Sequence, residues 1–280
     1  MTKRINKLPL LSPGISLIDT HCHLDMAAYG EDLDDVLQRA SRHHVRHIIT
    51  IGIDVESSKG AVALAHSYVN ISATIGIHPH DVDSMTSATY DALADLADNN
   101  REQIVGYGEI GLDYVKEYSA ADNQRRHFAN QLILARDLRL PVVIHDREAH
   151  EDTLRILKET GAGTHGGVMH CFSGDLELAK RVLDLGFYIS IPGVVTFKNA
   201  VSLQEVARTI PLKSMLIETD GPFLSPHPLR GKRNEPVNVV YIADCIASLR
   251  DIPLDEVAAE TTANARTLFQ LPPDISGGQP

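Results

Sequence analysis

Eight short runs rich in β-branched and apolar residues recur along the chain, each about the length of a buried strand. They are ISLID (15–19), VRHIITI (45–51), ISATIGI (71–77), QIVGYGEI (103–110), PVVIHD (141–146), GGVMHC (166–171), FYISI (187–191) and SMLIET (214–219). Helical patterns fill the gaps. Leu33, Val36, Leu37 and Ala40 repeat at i, i+3, i+4 and i+7, and Phe128, Leu132, Ala135 and Leu138 hold a similar spacing. Leu176, Ala179 and Leu183 repeat it again, with Asp175 placed as an N-cap and Gly186 just past the end. Such alternation specifies an α/β protein with a parallel sheet. No Gly-rich dinucleotide fingerprint follows the first run. A single closed (β/α)8 TIM-type barrel is therefore expected, rather than an open doubly wound sheet.

The 280 residues suit one barrel, and no linker or low-complexity stretch divides them. Residues 1–14 read as an N-terminal extension, 15–270 as the barrel and 271–280 as a C-terminal tail, with 254–270 as a closing helix. A chain this long buries roughly 75% of its unfolded surface and needs no disulfide staples. Cys22, Cys171 and Cys245 form no spaced framework, which indicates a reducing compartment. The opening MTKRINKLPLLSPG has too short an apolar run for a signal peptide. The run FYISIPGVVTF (187–197) falls short of the ~18 residues a membrane span needs. A cytoplasmic protein with no membrane partner is expected, and no protein partner is evident. The net charge of −11 disfavours a broad nucleic-acid-binding face. It does not exclude an enzyme that reaches phosphodiesters through bound cations. The basic cluster LRGKR (Arg230, Lys232, Arg233) is an exception, either a solvated loop or a phosphate contact.

In a (β/α)8 barrel the site lies at the C-terminal strand ends. Metal-type residues fall at those ends: His21 and His23 after the first run, His78 and His80 after the third, Glu109 at the fourth, His145 at the fifth, His170 at the sixth and Asp220 at the eighth. The second offers only Asp54, and the seventh none. His, Glu and Asp scattered in sequence but gathered at one rim point to a metal centre. Histidines 43, 44, 47, 66, 127, 150, 165 and 227 are expected on helices or loops, away from it. Strand alternation places His21 and His23 on one face and Cys22 on the other, turned out into apolar packing. Cys171, beside His170, is expected to behave likewise. Asp19 and Glu218 become candidates to orient the ligands from behind, or simply to fill the polar barrel top. Four histidines and two carboxylates exceed the need of one tetrahedral ion. They suit two ions about 3.5–4 Å apart, with Glu109 as the bridge and a metal-activated water as the nucleophile. Asp220 then binds metal and steers the proton. One ion remains possible. The mixed nitrogen and oxygen donors suit Zn2+ or Mn2+ and tolerate Mg2+.

At these residues the chain resembles the TatD-type metal-dependent deoxyribonuclease family, within the metal-dependent hydrolase superfamily. The resemblance rests on IDTHCHLD (18–25), GIHPHD (76–81), GEIGLDY (108–114), IH (144–145), MHCFSG (169–174), GVVTFKNA (193–200), ETDGPFLSP (218–226), RGKRNEP (230–236) and TTANARTLF (261–269), in family order. It implies hydrolysis of phosphodiester bonds in nucleic acid, DNA before RNA, by removal from a 3′ end. By motif it carries metal ligation to His21, His23, Glu109, His145, His170 and Asp220, and a phosphate or transition-state contact to His78. Arg147, Arg230, Lys232 and Arg233 are candidates to hold flanking phosphates. Asp146 departs from the small hydroxyl residue common there and adds negative charge near the rim. Two other readings stand beside this one: an amidohydrolase or lactonase of the same superfamily, or a non-catalytic barrel that binds metal or nucleic acid. Glu109, where many such hydrolases carry a modified Lys, favours the nuclease branch.

Overall fold

A computed structural model describes residues 8–116 and 118–272. The outer parts of the expected extension (1–7) and tail (273–280) lie outside the described residues. The strands are β1 (Leu17–Cys22), β2 (Val45–Ile51), β3 (Ile71–Ile75), β4 (Ile104–Asp113), β5 (Val142–Arg147), β6 (Gly167–Met169), β7 (Tyr188–Ile191) and β8 (Met215–Ile217). They pair in parallel in the order β1 to β8. The helices are α1 (Leu33–Arg42), α2 (Val55–Ser67), α3 (Ser87–Asn99), α4 (Ala121–Asp137), α5 (His150–Thr160), α6 (Leu176–Asp184), α7 (Val201–Thr209), α8 (Val239–Arg250) and α9 (Leu254–Phe269). The architecture is the (β/α)8 TIM-type barrel. The Asp175 side chain accepts the Leu178 N–H at 2.9 Å and starts α6 as an N-cap does, and Asp54 caps α2 through the Ser57 N–H at 2.7 Å.

Two apolar layers hold the barrel. Inside it, Ile18, Ile49, Ile51, Val143, Val168 and Leu216 pack with Leu268, Phe269 and Leu271. The C-terminal end of α9 thus plugs one mouth, and the polar residues collect at the other. Outside it, Leu17, Val45, Ile48 and Ile104 pack under the helices, where Val36, Leu37, Phe128 and Leu132 supply the apolar stripes. Residues 8–14 are docked: Leu11 is buried, and the Ser12 N–H donates to Asp255 Oδ1 at 3.1 Å.

Two strands run past their apolar stretches. β1 continues to Cys22, which registers with Thr50. β4 continues to Asp113, which registers with Arg147 of β5. Backbone pairing, not side-chain polarity, decides where a strand ends, so polar residues at a barrel rim are still strand.

The sheet closes between β8 and β1 at the polar mouth. Cys22 and Gly221 form a parallel bridge. The His23 N–H donates to the Gly221 carbonyl at 2.7 Å, and the Asp220 N–H donates to the His21 carbonyl at 2.9 Å. Below them the buried Asp19 carboxyl accepts the Thr219 N–H at 2.8 Å and meets the Thr219 hydroxyl at 2.5 Å. Burial pushes this carboxyl up to about 8, against the hydrogen bonds from Thr219 and His21. At neutral pH an amide is therefore a close mimic of it. Asp19→Ala should cost about 1–3 kcal/mol by orphaning buried donors, and Asp19→Asn should cost clearly less. Urea denaturation of the metal-free variants checks this; equal losses would contradict the clasp.

Candidate metal centre

Glu109 lies within β4 rather than at its end, where the register against β5 shifts between Tyr107 and Ile110. Gly108 and Gly111 flank it at φ +150° and +149°. A Cβ on either would run into the carbonyl oxygens of Val143 and His145. The two glycines let β4 press against β5 and aim the carboxylate into the mouth.

There Glu109 is the hub. Its Oε1 lies 2.7 Å from His145 Nδ1, 2.7 Å from His170 Nε2 and 3.5 Å from His78 Nε2. Its Oε2 lies 3.4 Å from His21 Nε2 and 3.9 Å from His23 Nε2. Asp220 Oδ1 faces the same two imidazoles, at 3.8 Å from His21 and 3.5 Å from His23. Burial alone would raise the Glu109 carboxyl, but the surrounding imidazoles, His170 and His78 foremost, hold it well below the usual range. Asp220 is likewise held low against burial, first by its bond with His23. Burial works against a charged His170 too, yet Glu109 and Glu218 lift it well above an ordinary imidazole.

The donors are arranged for cations. His21 Nδ1 and Nε2 and His23 Nδ1 are buried with no hydrogen-bond partner. A polar atom so placed is costly unless something else meets it. Three sets bring ligand atoms within 4.8 Å of one another: His21, His23 and Asp220; His78, Glu109 and His145; His21, His170 and Glu218. Five of the six expected ligands (His23, Glu109, His145, His170 and Asp220) line one cleft of about 510 Å3, with His78, Asp146, Arg147 and Cys171; His21 is fully buried behind them, against Glu109.

The supporting residues divide differently from expectation. Glu218 does back a histidine: its Oε1 lies 3.3 Å from His170 Nδ1 and accepts the Cys171 N–H at 2.6 Å. Asp19 reaches no imidazole and acts through backbone and Thr219 instead. Cys22 is buried and turned from the cluster, but its Sγ sits 3.7 Å from the Tyr29 hydroxyl and 3.5 Å from the Gly221 carbonyl. Cys171 corrects the alternation argument: it lines the cleft. β6 ends at Met169 and Cys171 takes φ +43°, so strand period no longer governs there. His47 lies on β2, not on a helix or loop, and its Nε2 pairs with Ser72 Oγ at 2.9 Å. The His78 Nδ1 accepts the His80 N–H at 3.2 Å, so its proton sits on Nε2, facing the cleft. Burial lowers this imidazole to about 4, which keeps it a neutral donor.

Of the four basic candidates, Arg147 lines the cleft. Arg230 lies over the Phe197 ring at 4.7 Å. Lys232 and Arg233 line a separate cavity with Leu8, Arg39 and Tyr241. Arg233 is committed to Asp32, at 2.7 Å to each oxygen, and to Glu235 at 2.9 Å. Asp146 is engaged by His150 at 2.6 Å and Thr153 at 3.1 Å, so its charge is tied into the start of α5.

The sequence reading missed Asp113. Its Oδ2 lies 2.9 Å from His80 Nε2 and 3.4 Å from His145 Nε2, while its Oδ1 accepts the Val115 and Lys116 N–H groups. It stands four residues along β4 from Glu109, on the same face by period two, which is the signal that would have found it.

Convergent imidazoles and carboxylates at the mouth of a (β/α)8 barrel define a metal-dependent hydrolase. Residues 18–270 match the family model described as TatD related DNase, and the chain belongs to that family. It is 44% identical to the uncharacterized metal-dependent hydrolase YabD of Bacillus subtilis, over 91% of this chain and 99% of that one. It is 36% identical to the 3′-5′ ssDNA/RNA exonuclease TatD of Salmonella typhimurium, over 91% and 99%. The crystal structure of the TatD homolog YJJV from Escherichia coli superposes with a TM-score of 0.87 at 32% identity, covering 91% of this chain and 98% of that one. No helix among the described residues is long and apolar enough to cross a membrane.

Two outcomes are expected. Asp113→Ala, which frees His145 and His80, should weaken divalent-metal binding on the order of 10- to 100-fold by calorimetric titration. Unchanged affinity would reduce Asp113 to a loop anchor. The Asp32 carboxyl is held down to about 2, chiefly by Arg233, against an ordinary 3.8. Its pairing therefore stabilises above about pH 4 and is lost as pH falls through about 2. Asp32→Asn should flatten that acid limb in denaturation measured between those values.

Proposed function

We infer that the protein is a divalent-metal-dependent phosphodiesterase acting on nucleic acid, an exonuclease that removes nucleotides from the 3′ end of a strand. The observation that carries this is the Glu109 hub, one carboxylate within 4 Å of His21, His23, His78, His145 and His170. Kinship with a family named for DNases, and with a relative named as a 3′-5′ ssDNA/RNA exonuclease, supports the substrate class.

The donors fit two ions. His21, His23 and Asp220 would hold one, His145 and His170 the other, with Glu109 between them. Zn2+, Mn2+ or Mg2+ bound there supplies acidification of a water and offsets charge on the scissile phosphate and leaving oxygen. The residues of the chain do the rest. Asp220, ionised and beside His23, accepts the proton of the attacking water. The His78 Nε2–H donates to a phosphoryl oxygen, a hydrogen bond that strengthens as negative charge develops. Arg147 holds a neighbouring phosphate at the rim. Glu218 fixes the ring of His170, and Asp113 that of His145, so neither must reorganise during the reaction.

The test is a substrate panel of end-labelled single-stranded DNA, RNA and bis-p-nitrophenyl phosphate with Mg2+, Mn2+ or Zn2+. Cleavage of at least one is expected, and failure on all three under every metal would sink the reading. Glu109→Ala and Asp220→Ala should each lower turnover by at least ~100-fold while circular dichroism stays unchanged. Cys22→Ser should keep metal content and activity; loss of an ion would make the thiol a ligand.

A further inference from the structure

The cleft has two unlike walls. On one side stand Met26, Ile53, Phe223 and Leu224, apolar residues from the loops after β1, β2 and β8. On the other stands Arg147 at the end of β5, the one Lys or Arg among the described residues lining the cleft. Between them lies the cluster, with His21 fully buried and Glu109 only 4% exposed.

Phe223 is the unusual member of the apolar wall. It is 49% exposed, and its neighbour Leu224 is 38% exposed, in a chain that buries most of its large apolar side chains. An exposed phenyl ring on a mobile loop would need no explanation. This one is held. Its N–H donates to the Asp220 carbonyl at 2.9 Å, so it hangs from a residue of the cluster. Its carbonyl accepts from Asn234 Nδ2 at 2.7 Å, and Asn234 is fully buried, donating also to the Thr219 carbonyl at 2.7 Å. The ring itself lies 6.0 Å from the His23 ring, at 69°. A rigid aromatic face open to the cleft, its ring 6.0 Å from the His23 imidazole, offers a planar heterocycle a surface at little ordering cost.

We propose that Phe223 is the platform on which the terminal base of a single strand stacks while its phosphate sits at the cluster. This rests on the phosphodiesterase reading and adds to it the residue that holds the terminal base. The charge pattern selects a nucleotide: an anion at the imidazoles, a further phosphate at Arg147, an apolar plane at Phe223. Cluster and platform are close enough that base and phosphate must belong to the same or adjacent nucleotides.

The experiment uses the full chain with Mn2+ and a 5′-labelled single-stranded decamer. Its 3′-terminal nucleotide carries either adenine or an abasic tetrahydrofuran. The quantity read is the ratio of kcat/KM for removal of the adenine-bearing over the abasic nucleotide. The wild type should favour adenine by about tenfold or more, the range of one base–aromatic stack. Phe223→Ala should bring the ratio close to one, as should Phe223→Leu, which keeps apolar bulk without a π face. Phe223→Trp should keep the preference. In parallel, the Kd for a labelled strand, read by anisotropy with Ca2+, should rise about tenfold in Phe223→Ala. A wild-type ratio near one, or a ratio that Phe223→Ala and Phe223→Leu leave unchanged, overturns the platform while leaving the phosphodiesterase intact. No cleavage of either strand by the wild type overturns both.

Discussion

The joint between the last strand and the first decides the rest of the molecule. The Asp220 N–H reaches the His21 carbonyl at 2.9 Å, and the His23 N–H reaches the Gly221 carbonyl at 2.7 Å. These two hydrogen bonds close the sheet at its polar mouth. They also set Asp220 against the two β1 imidazoles, residues some two hundred positions apart in the chain. The buried Asp19 and Thr219 lock the same joint one layer deeper. Closure and site assembly are one event, because the strand that completes the barrel leads directly into Asp220, a candidate ligand. Asp220 takes φ +55° to do so, a conformation Asp tolerates better than most residues.

Electrostatics then explains why so many titratable groups share so small a space. Glu109 and Asp220 are each unfavourable as buried carboxylates and are held ionised by neighbours that favour the charge. Glu109 draws on the imidazoles around it, and Asp220 on His23 and His21. Around this ring sit residues that orient it. Glu218 and Asp113 steer two of the rings, and Asn234 pins the turn that carries Phe223. Rigid elements beneath and hydrogen-bonded carboxylates behind are what a site needs to keep its shape through a reaction.

Much of this was legible in the chain. The eight apolar runs marked all eight strands, and the helical spacings marked α1, α4 and α6. The six expected residues cluster at one mouth, five lining the cleft and His21 buried behind them, because barrel geometry sends every strand tip to the same rim. What failed did so for local reasons. Cys22 turns from the cluster as expected, although the β1 register shifts between Asp19 and Cys22, whereas Cys171 does not, because the short β6 had already ended. Asp113 was overlooked because the fourth run was read as ending at Ile110, whereas β4 continues to Asp113. The LRGKR cluster read as either a solvated loop or phosphate binders, and Arg233 is instead spent on Asp32 and Glu235, partners no local pattern announces.

The sequence by itself determined the architecture and the identity of the metal-type residues, because both follow from periodicity and from strand order, which are local or one-dimensional. Only the tertiary structure decided which carboxylate becomes the hub, which carboxylates stand behind which imidazoles, and which cations are free to meet a substrate. Those depend on distances across the barrel mouth, between strands that meet only when the sheet closes. The exposure of Phe223 belongs to the same class. A phenylalanine in a sequence reads as core, and only the folded chain turns this one outward, held by a buried asparagine beside the metal centre.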